Sequence, residues 1–290
     1  MWETLTVLMW RPLWNVMPLK NSIDKIIRPI LRMVVPKPQR DWLRDRVSTL
    51  RISSDTYEEL YESTAREVKI DQVIGQGDFD LIGRIELDLL KMEGLQPEHT
   101  LVDLGCGIGR LAVHVIPALS GGSYIGIDIS ETMLKRAKAR IAQTVPNPPC
   151  NVTWIKQTTS HFTLAENSVD MMCAFSVFTH MEHEDTYRYL KDALRVVKPL
   201  GRFIFSCLPL TLPYSKEVFL NSANMDLKTR WRCVRNVTTS VNYMEEIARL
   251  AGWTPLRWYA GDEANIGLTN NGKKYALGQA SCVLEAPAHL

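Results

Sequence analysis

The stretch Leu101-Val-Asp-Leu-Gly-Cys-Gly-Ile-Gly-Arg110 decides the fold of this chain of 290 residues. An apolar strand with Asp103 near its end runs into a glycine-rich turn, and the turn opens a helix predicted at about 110–116. The turn holds three glycines: Gly105, Gly107 and Gly109. Glycines leave the backbone bare where a ligand comes close, and the first amides of the helix face the same place. The pattern predicts a site for a nucleoside cofactor.

The order of the glycines distinguishes this turn from a dinucleotide-binding fingerprint. That fingerprint reads G-x-G-x-x-G and binds a pyrophosphate. Here Arg110 stands where the last glycine belongs, and the carboxylate of Asp103 would repel a pyrophosphate. An acid in this place favours a cationic ligand. The stretch resembles motif I of the class I S-adenosylmethionine (SAM) dependent methyltransferases, whose cofactor carries an ammonium and a sulfonium and no phosphate.

A second predicted strand, 123–129, carries Asp128 at its tip. This acid follows the glycine turn by about 20 residues, which is the spacing of an acid that binds ribose hydroxyls. Ser130 is the expected N-cap of a helix over 131–141, and a third strand is predicted at 151–156. The alternation is that of a βαβ sheet.

The remaining elements continue the same plan. The predicted elements are a strand at 168–176 that runs into 177–181, a helix at 185–197, a connection at 198–201, a strand at 202–206, a helix at 242–250 stopped by Gly252, and strands at 255–259 and 279–285. The resemblance to class I methyltransferases covers 100–206 in order, with a weaker continuation to the end. It implies an α/β fold: a doubly wound, Rossmann-like, seven-stranded sheet whose last strand is antiparallel, with an N-terminal helical extension and with ligands at the carboxyl ends of the strands.

The chain divides into three predicted regions: a basic amphipathic arm at 1–50, a helical lid at 51–97 and a methyltransferase domain at 98–290. Within that domain, 208–237 is predicted to cap the substrate, and the alternative is a helix that only packs on the sheet edge. A hydrophobic content of 46% gives ample core for one such domain. Six cysteines are scattered without a C-x-x-C pair, and the N-terminal apolar run follows an acid instead of a basic region. We therefore expect a cytoplasmic protein.

The predicted lid contains Tyr57 and Tyr61, one helical turn apart. Related methyltransferases carry a segment similar to 75–83 just before motif I, where it helps to cover the cofactor. The resemblance suggests a contact between one of these tyrosines and the methionine moiety, and ordinary helix packing is the alternative.

The arm is basic, with nine Lys or Arg against four Asp or Glu, although the whole chain has a net charge of only +2. It also holds Trp2, Trp10, Trp14 and Trp42. An apolar stripe with helical spacing runs through Ile23, Ile26, Ile27, Ile30, Leu31 and Val34. We expect residues 1–36 to lie on an anionic membrane surface as a peripheral attachment, since no run reaches the roughly 18 apolar residues of a membrane span. The alternative is packing on the catalytic domain or on a second copy of the chain in a homodimer.

The resemblance implies SAM as the cofactor. The predicted cofactor-binding residues are Asp103, Gly105, Cys106, Gly107, Gly109, Asp128, Ile129, Thr158 and Phe175. The small size of Cys106 explains its place in the turn better than a nucleophilic role does. Relatives often place an acid at Thr158 to bind the adenine amino group, so the hydroxyl of Thr158 or a backbone contact near Phe175 is expected to substitute.

His180 follows the fourth strand at the ligand-binding edge and is the predicted catalytic base. Transfer of a methyl group from a sulfonium requires alignment of a nucleophile and, for a hydroxyl, removal of its proton. The alternative is a histidine that hydrogen-bonds the backbone and shapes the loop. The nearby acids and histidine at 182–185 resemble a metal site, but their spacing is typical of the solvated start of a helix, and no metal is expected.

The acceptor is predicted to be a small or lipid-linked molecule that is methylated at a hydroxyl oxygen. DNA amino-methyltransferases carry a [DNS]-P-P-[YFW] tetrad after the fourth strand, whereas this chain has Ala174-Phe-Ser-Val177 there. Outside the arm the chain is also slightly acidic, so nucleic acid is not an expected partner. Two alternatives remain: a C- or N-methyltransferase on a lipid or quinone head group, and a non-catalytic subunit that binds SAM.

Overall fold

A computed structural model describes residues 57–67, 78–230, 234–268 and 272–288, which all belong to one unit, 55–290. The predicted arm at 1–50 lies outside the described residues, and so do 51–56 and 68–77 of the predicted lid. The membrane or packing role of the arm therefore stays a prediction.

The described residues form ten strands and eight α-helices. The strands are β1 (Thr100–Leu104), β2 (Ser123–Asp128), β3 (Asn151–Lys156), β4 (Val169–Ala174), β5 (Val197–Pro209), β6 (Thr238–Thr239), β7 (Thr254–Tyr259), β8 (Ile266–Gly267), β9 (Lys274–Tyr275) and β10 (Ala280–Glu285). The helices are α1 (Tyr57–Glu67), α2 (Phe79–Met92), α3 (Ala112–Val115), α4 (Glu131–Thr144), α5 (His183–Val196), α6 (Pro213–Ala223), α7 (Leu227–Arg230) and α8 (Val241–Ala251).

Seven strands form the central sheet in the order β3-β2-β1-β4-β5-β10-β7, and the short β6 pairs with the end of β5. Strands β1 to β5 are parallel, whereas β10 is antiparallel to both β5 and β7. The predicted doubly wound sheet with a reversed last strand is confirmed. The carboxyl ends of the parallel strands meet at one edge, which we call the ligand edge.

Two apolar layers cover the two faces of the sheet. Helices α5 and α8 pack on one face through residues such as Leu190 and Ile247, and α2 and α3 pack on the other through residues such as Leu89 and Val115. Neighbouring residues of one strand serve both layers, because successive side chains point to opposite faces. This is why β1 and β4 read as nearly continuous apolar runs.

Two predicted helix ends are confirmed. The hydroxyl of Ser130 accepts a hydrogen bond from the amide of Met133 and so caps α4. Gly252 ends α8 with a φ of 99°, a left-handed conformation that glycine adopts without strain. Within the described ranges, no helix is long and apolar enough to cross a membrane.

The predicted start of the fifth strand at 202 is wrong, because the connecting residues 198–201 already lie inside β5. Val197 already pairs with Val169. A register shift in the pairing of β4 with β5 accommodates the residues that follow Val197 in β5. On the other side, the amide of Leu200 donates to Ala286, and the amide of Ala286 donates to Gly201. Pairing with two neighbours thus overrides the local turn signal of the Pro and Gly.

Candidate active site

The glycine turn after β1 is held against the end of β2. The amides of Gly105 and Cys106 both donate to the carbonyl of Ile127, at 2.7 and 3.0 Å. Gly105 has a φ of 71°, and a Cβ on it would lie 2.4 Å from Cγ2 of Val177. Both the conformation and the lack of space require glycine here. The turn therefore leaves its backbone uncovered between the ends of β2 and β4, and we call this glycine turn the cradle.

The helix after the turn is shorter than the predicted 110–116, since α3 spans only Ala112–Val115. Gly109, with a φ of 84°, keeps the chain in the turn beyond the expected helix start. Arg110 is engaged away from the cradle, because its guanidinium donates to the carboxylate of Glu86 in α2 at 2.5 Å. The turn itself, and not a long helix N-terminus, forms the cradle.

Asp128 is buried at the tip of β2 beside the cradle. Its Oδ2 accepts from the amide of Gly107 at 2.9 Å, and its Oδ1 accepts from the amide of Ser130 at 2.8 Å. Burial raises the pKa of Asp128 to about 6, although the amides of Ser130, Gly107 and Ile129 oppose this shift. A carboxylate oxygen has room for more than one hydrogen bond, so this oriented group is able to accept ribose hydroxyls as well.

Asp103 lies beneath the cradle, with its carboxylate bonded to protein groups. Oδ2 accepts from the hydroxyl of Tyr124 at 2.7 Å, and Oδ1 lies 3.8 Å from Sγ of Cys173. Burial raises the pKa of Asp103 to about 7. These contacts hold the Asp103 carboxylate in place beneath the turn. Direct contact between Asp103 and the cofactor stays a prediction. Burial also raises the pKa of the Cys106 thiol well above its usual value, in agreement with a small spacer and not a nucleophile.

The end of β3 offers a group that sequence reasoning missed. Thr158, the predicted adenine contact, is exposed, whereas its neighbour Gln157 is buried. The Nε2 of Gln157 donates to the carbonyl of Thr159 at 2.9 Å, and its buried Oε1 has no hydrogen-bond partner. An unpaired buried acceptor is costly, which makes it a good partner for an amino group. Phe175 follows β4, which β1 and β2 separate from β3, so it is not brought together with Thr158.

His180 ends a 3₁₀ turn, Phe178–His180, in the loop after β4. Its Nδ1 lies 2.8 Å from the carbonyl oxygen of Arg235. Because a carbonyl only accepts, Nδ1 carries the hydrogen, and the Nε2 of the neutral ring keeps its lone pair. Burial lowers the pKa of His180 below its usual 6.5, although the Arg235 carbonyl opposes this shift. The ring is thus neutral at pH 7, with Nε2 able to accept a proton.

The insertion at 208–237 is anchored to the same loop at its C-terminal end. The amide of Val237 donates to the carbonyl of Thr179 at 2.7 Å, and the guanidinium of Arg235 donates to Glu182 at 2.5 Å. These bonds, together with the bond from His180 to Arg235, join the insertion to the candidate base.

Helix α1 crosses the ligand edge. At one end of the helix, the hydroxyl of Tyr57 donates to Asp185 at 2.9 Å and accepts from the amide of Glu182 at 3.0 Å. In the next turn, Glu62 accepts from the hydroxyls of Ser130 and Thr132 at 2.6 and 2.5 Å. The helix thus connects the loop after β4 to the start of α4, as a lid over the cradle would.

The pKa shifts of Glu62 and Tyr61 on α1 reflect the surroundings of these side chains. Burial opposes ionisation of Glu62, but the hydroxyls of Ser130 and Thr132 lower its pKa to about 2. Tyr61 packs edge-on against His180, with ring centroids 6.3 Å apart. Burial and the nearby charge of Asp128 raise the pKa of Tyr61, which therefore stays a neutral phenol.

The acids and histidine of 182–185 are not gathered around one point. His183 packs edge-on against the ring of Tyr243, while Glu182 and Asp185 bind the arginine and tyrosine partners described above. In the part of the chain that the structure describes, no three His, Cys, Asp or Glu side chains form a group able to hold a metal ion.

Comparison with known proteins gives a consistent result. Residues 101–201 match the family described as methyltransferase domain. A 2-phytyl-1,4-naphtoquinone methyltransferase from Nostoc sp. is 31% identical over 111 residues, which cover 38% of this chain and 47% of that protein. A demethylmenaquinone methyltransferase from Lactococcus lactis is 24% identical over 177 residues, which cover 59% and 66%. The chain thus spans about half the length of the first of these relatives.

Solved structures show the same fold. The magnesium protoporphyrin IX methyltransferase from Synechocystis PCC 6803, solved with bound SAH, superposes with a TM-score of 0.56 at 16% identity, covering 79% of this chain and 98% of that one. A SAM-dependent methyltransferase from Methanosarcina mazei gives a TM-score of 0.52 at 13% identity, covering 68% and 97%.

Proposed function

We propose that this chain is a class I SAM-dependent methyltransferase that transfers a methyl group to a hydroxyl oxygen of a small or lipid-linked acceptor. The state of His180 carries this proposal. Its Nδ1 hydrogen is committed to the Arg235 carbonyl, and burial keeps the ring neutral. Nε2 is therefore an unprotonated nitrogen in the loop after β4 that is able to accept a proton.

The residues of the ligand edge fit SAM. Gly105 leaves the cradle bare, Asp128 presents an oriented carboxylate for the ribose, and Gln157 presents an unpaired acceptor for the adenine amino group. When bound, SAM supplies a methyl group that its sulfonium has already activated. The protein's own task is to align the acceptor, to exclude water beneath α1 and to take the hydroxyl proton on Nε2 of His180.

We expect Gln157→Leu to weaken SAM binding by about twofold to tenfold, the effect of one neutral hydrogen bond. Thr158→Val is the matched control, because it removes the hydroxyl of an exposed neighbour. Isothermal calorimetry with SAM measures both. A loss of affinity in Thr158→Val with none in Gln157→Leu would return adenine recognition to Thr158.

A second candidate function is C-methylation of a hydroxylated ring. The names of the two quinone-related relatives favour it, and the same base would serve, since loss of a ring hydroxyl proton activates the neighbouring carbon. Incubation with [methyl-¹³C]SAM and a panel of phenols and hydroquinones separates the candidates by carbon NMR. A labelled methoxy signal supports O-methylation, and a labelled ring-methyl signal supports C-methylation. SAM binding without turnover on any acceptor favours the non-catalytic subunit.

The surface of the insertion supports a lipid-linked acceptor. Half of the exposed large apolar side chains among the described residues lie inside this segment, between 210 and 227: Leu210, Tyr214, Phe219, Leu220, Met225 and Leu227. Apolar patches that face solvent often contact membranes or partners. Because the segment is tied to His180 through Arg235, an acceptor that enters from a membrane would arrive beside the base.

We expect the double variant Phe219→Ser, Leu220→Ser to lower binding to anionic phospholipid vesicles by about tenfold or more, since each large apolar side chain removed from water contributes about 1.5–3 kcal/mol. Leu250→Ser on α8 is the matched control, because Leu250 is 72% exposed and lies outside the insertion. Vesicle sedimentation measures the effect. Deletion of 1–36 in the same assay measures how much of the vesicle binding is due to the predicted arm, and this part should be sensitive to salt. Equal binding by all variants would remove the main support for a lipid-linked acceptor.

A further inference from the structure

We propose that Gln279 binds the acceptor through its side-chain amide NH₂, which donates a hydrogen bond to a carbonyl or phenolate oxygen. This inference rests on the proposed function and names the chemistry of its acceptor: an aromatic or quinone-like ring that carries such an oxygen.

The sheet places Gln279 at the ligand edge. It directly precedes β10, and Ala280 pairs with Cys207 near the carboxyl end of β5. Because β10 is antiparallel to β5, its start lies at the edge where the parallel strands end. Ser176, two residues after β4, reaches the same point, as its hydroxyl donates to Oε1 of Gln279 at 3.3 Å.

Hydrogen bonds fix the orientation of the Gln279 amide. Its Oε1 accepts from the hydroxyl of Ser206 at 2.6 Å and from that of Ser176 at 3.3 Å. Ser206 is itself held, since its Oγ accepts from the amide of Ser176 at 2.7 Å. With the amide oxygen directed at these two hydroxyls, the nitrogen occupies the other arm of the amide. Among the described residues, the hydrogen bonds of this side chain go to Oε1.

Two further features set this cluster apart from ordinary packing. Ser176 has a φ of 58°, a strained conformation for a residue with a side chain, and such strain collects at functional sites. Ser281, across the β5–β10 pair from Ser206, is fully buried, and its hydroxyl has no hydrogen-bond partner. One buried hydroxyl beside the cluster is therefore left unsatisfied by the fold.

The chemistry of an amide donor selects the ligand. An NH₂ group carries no charge and cannot take a proton, so it stabilises an oxygen that is partly or fully negative without competing with His180 as a base. A ring oxygen that gains negative charge as His180 removes a proton is such a partner. The Ser176–Ser206–Gln279 cluster would hold the donor in place while this charge develops.

The test uses the full chain with 1,4-naphthohydroquinone as the methyl acceptor and 1,4-naphthoquinone as the binding probe. Gln279→Glu keeps the size of the side chain but replaces the donor with a carboxylate, and Gln279→Ala removes it. We expect both to raise the KM for the hydroquinone and the Kd for the quinone by about twofold to tenfold, the effect of one neutral hydrogen bond, with SAM affinity unchanged. Ser206→Ala should give a smaller rise, because it only releases Oε1. Gln143→Glu, an exposed position on α4, is the matched control for the charge change.

The outcomes separate this inference from the proposed function. Wild-type turnover with unchanged KM and Kd in both Gln279 variants overturns the role of Gln279 and leaves the proposed function standing. If the wild-type protein neither binds the quinone nor methylates the hydroquinone, the acceptor class with a ring oxygen is overturned. The proposed function is tested separately, by SAM calorimetry and by turnover on the phenol panel. Thermal melting of each variant shows whether it folds. If Gln279→Glu does not fold, Ser206→Ala tests the role of the cluster.

Discussion

Replacement of His180 by alanine is expected to lower the rate constant of methyl transfer by about 10²- to 10⁴-fold, with little change in SAM affinity. The neutral ring presents Nε2 as a proton acceptor because its Nδ1 hydrogen is bound by the Arg235 carbonyl. Removal of the ring removes the group that takes the hydroxyl proton in the transition state. Single-turnover kinetics with SAM and an identified acceptor measure the rate of the chemical step.

His180→Asn separates catalysis from loop support. The asparagine amide is able to donate to the Arg235 carbonyl as Nδ1 does, but it offers no basic nitrogen. A catalytic base predicts that Asn and Ala variants are similarly slow. A near wild-type rate in the Asn variant would show that His180 only shapes the loop through its bond to Arg235.

The pH dependence follows from the same geometry. Burial lowers the pKa of His180 below 6.5, so the neutral, proton-accepting form persists to lower pH than in an ordinary histidine. We expect the wild-type rate to be constant near pH 7 and to fall only as the pH drops through a value below 6.5. At saturating SAM, the His180→Asn variant should lack this acidic limb.

Local sequence signals predicted most of the fold because they are strong at the turn after β1 and at the ends of the helices α4 and α8. The glycine turn, the N-cap Ser130 and the C-terminal Gly252 each act through the conformation of a few neighbouring residues, and all three features appear in the structure. The β5 bounds failed for the opposite reason. Pairing with β4 and β10 extends that strand through a Pro and a Gly that locally favour a turn. The two-residue strands β6, β8 and β9 are too short to carry a periodic pattern.

The candidate site was less predictable, because its contacts join distant parts of the chain. Tyr57 reaches Asp185, and Ser176 reaches Gln279, across separations of 128 and 103 residues. The choice between Thr158 and Gln157 depends on a single step along the chain after β3. Side chains alternate between opposite faces in extended backbone, so a shift of one residue exchanges the buried Gln157 for the exposed Thr158.

Replacement of Asp128 by alanine is expected to weaken SAM binding by about tenfold to a hundredfold, because it removes charged hydrogen bonds worth about 1.5–3 kcal/mol. The carboxylate is buried at the tip of β2 and is oriented by the amides of Gly107 and Ser130. Asp170→Ala is the matched control. That carboxylate also accepts from a backbone amide, of Thr100, but it lies at the amino end of β4, away from the ligand edge.

Titration gives a second test of the Asp128 prediction. Its pKa is raised to about 6 by burial, so a fall in pH through this value protonates the carboxylate and removes an acceptor from the ribose site. Wild-type affinity for SAM should therefore weaken below about pH 6, while Asp128→Asn should bind weakly at every pH with no such transition. Calorimetry between pH 5 and 8, with thermal melting to exclude unfolding, measures both. Wild-type affinity in a folded Asp128→Ala protein would contradict the ribose assignment, since Asp128 is the only carboxylate within β2.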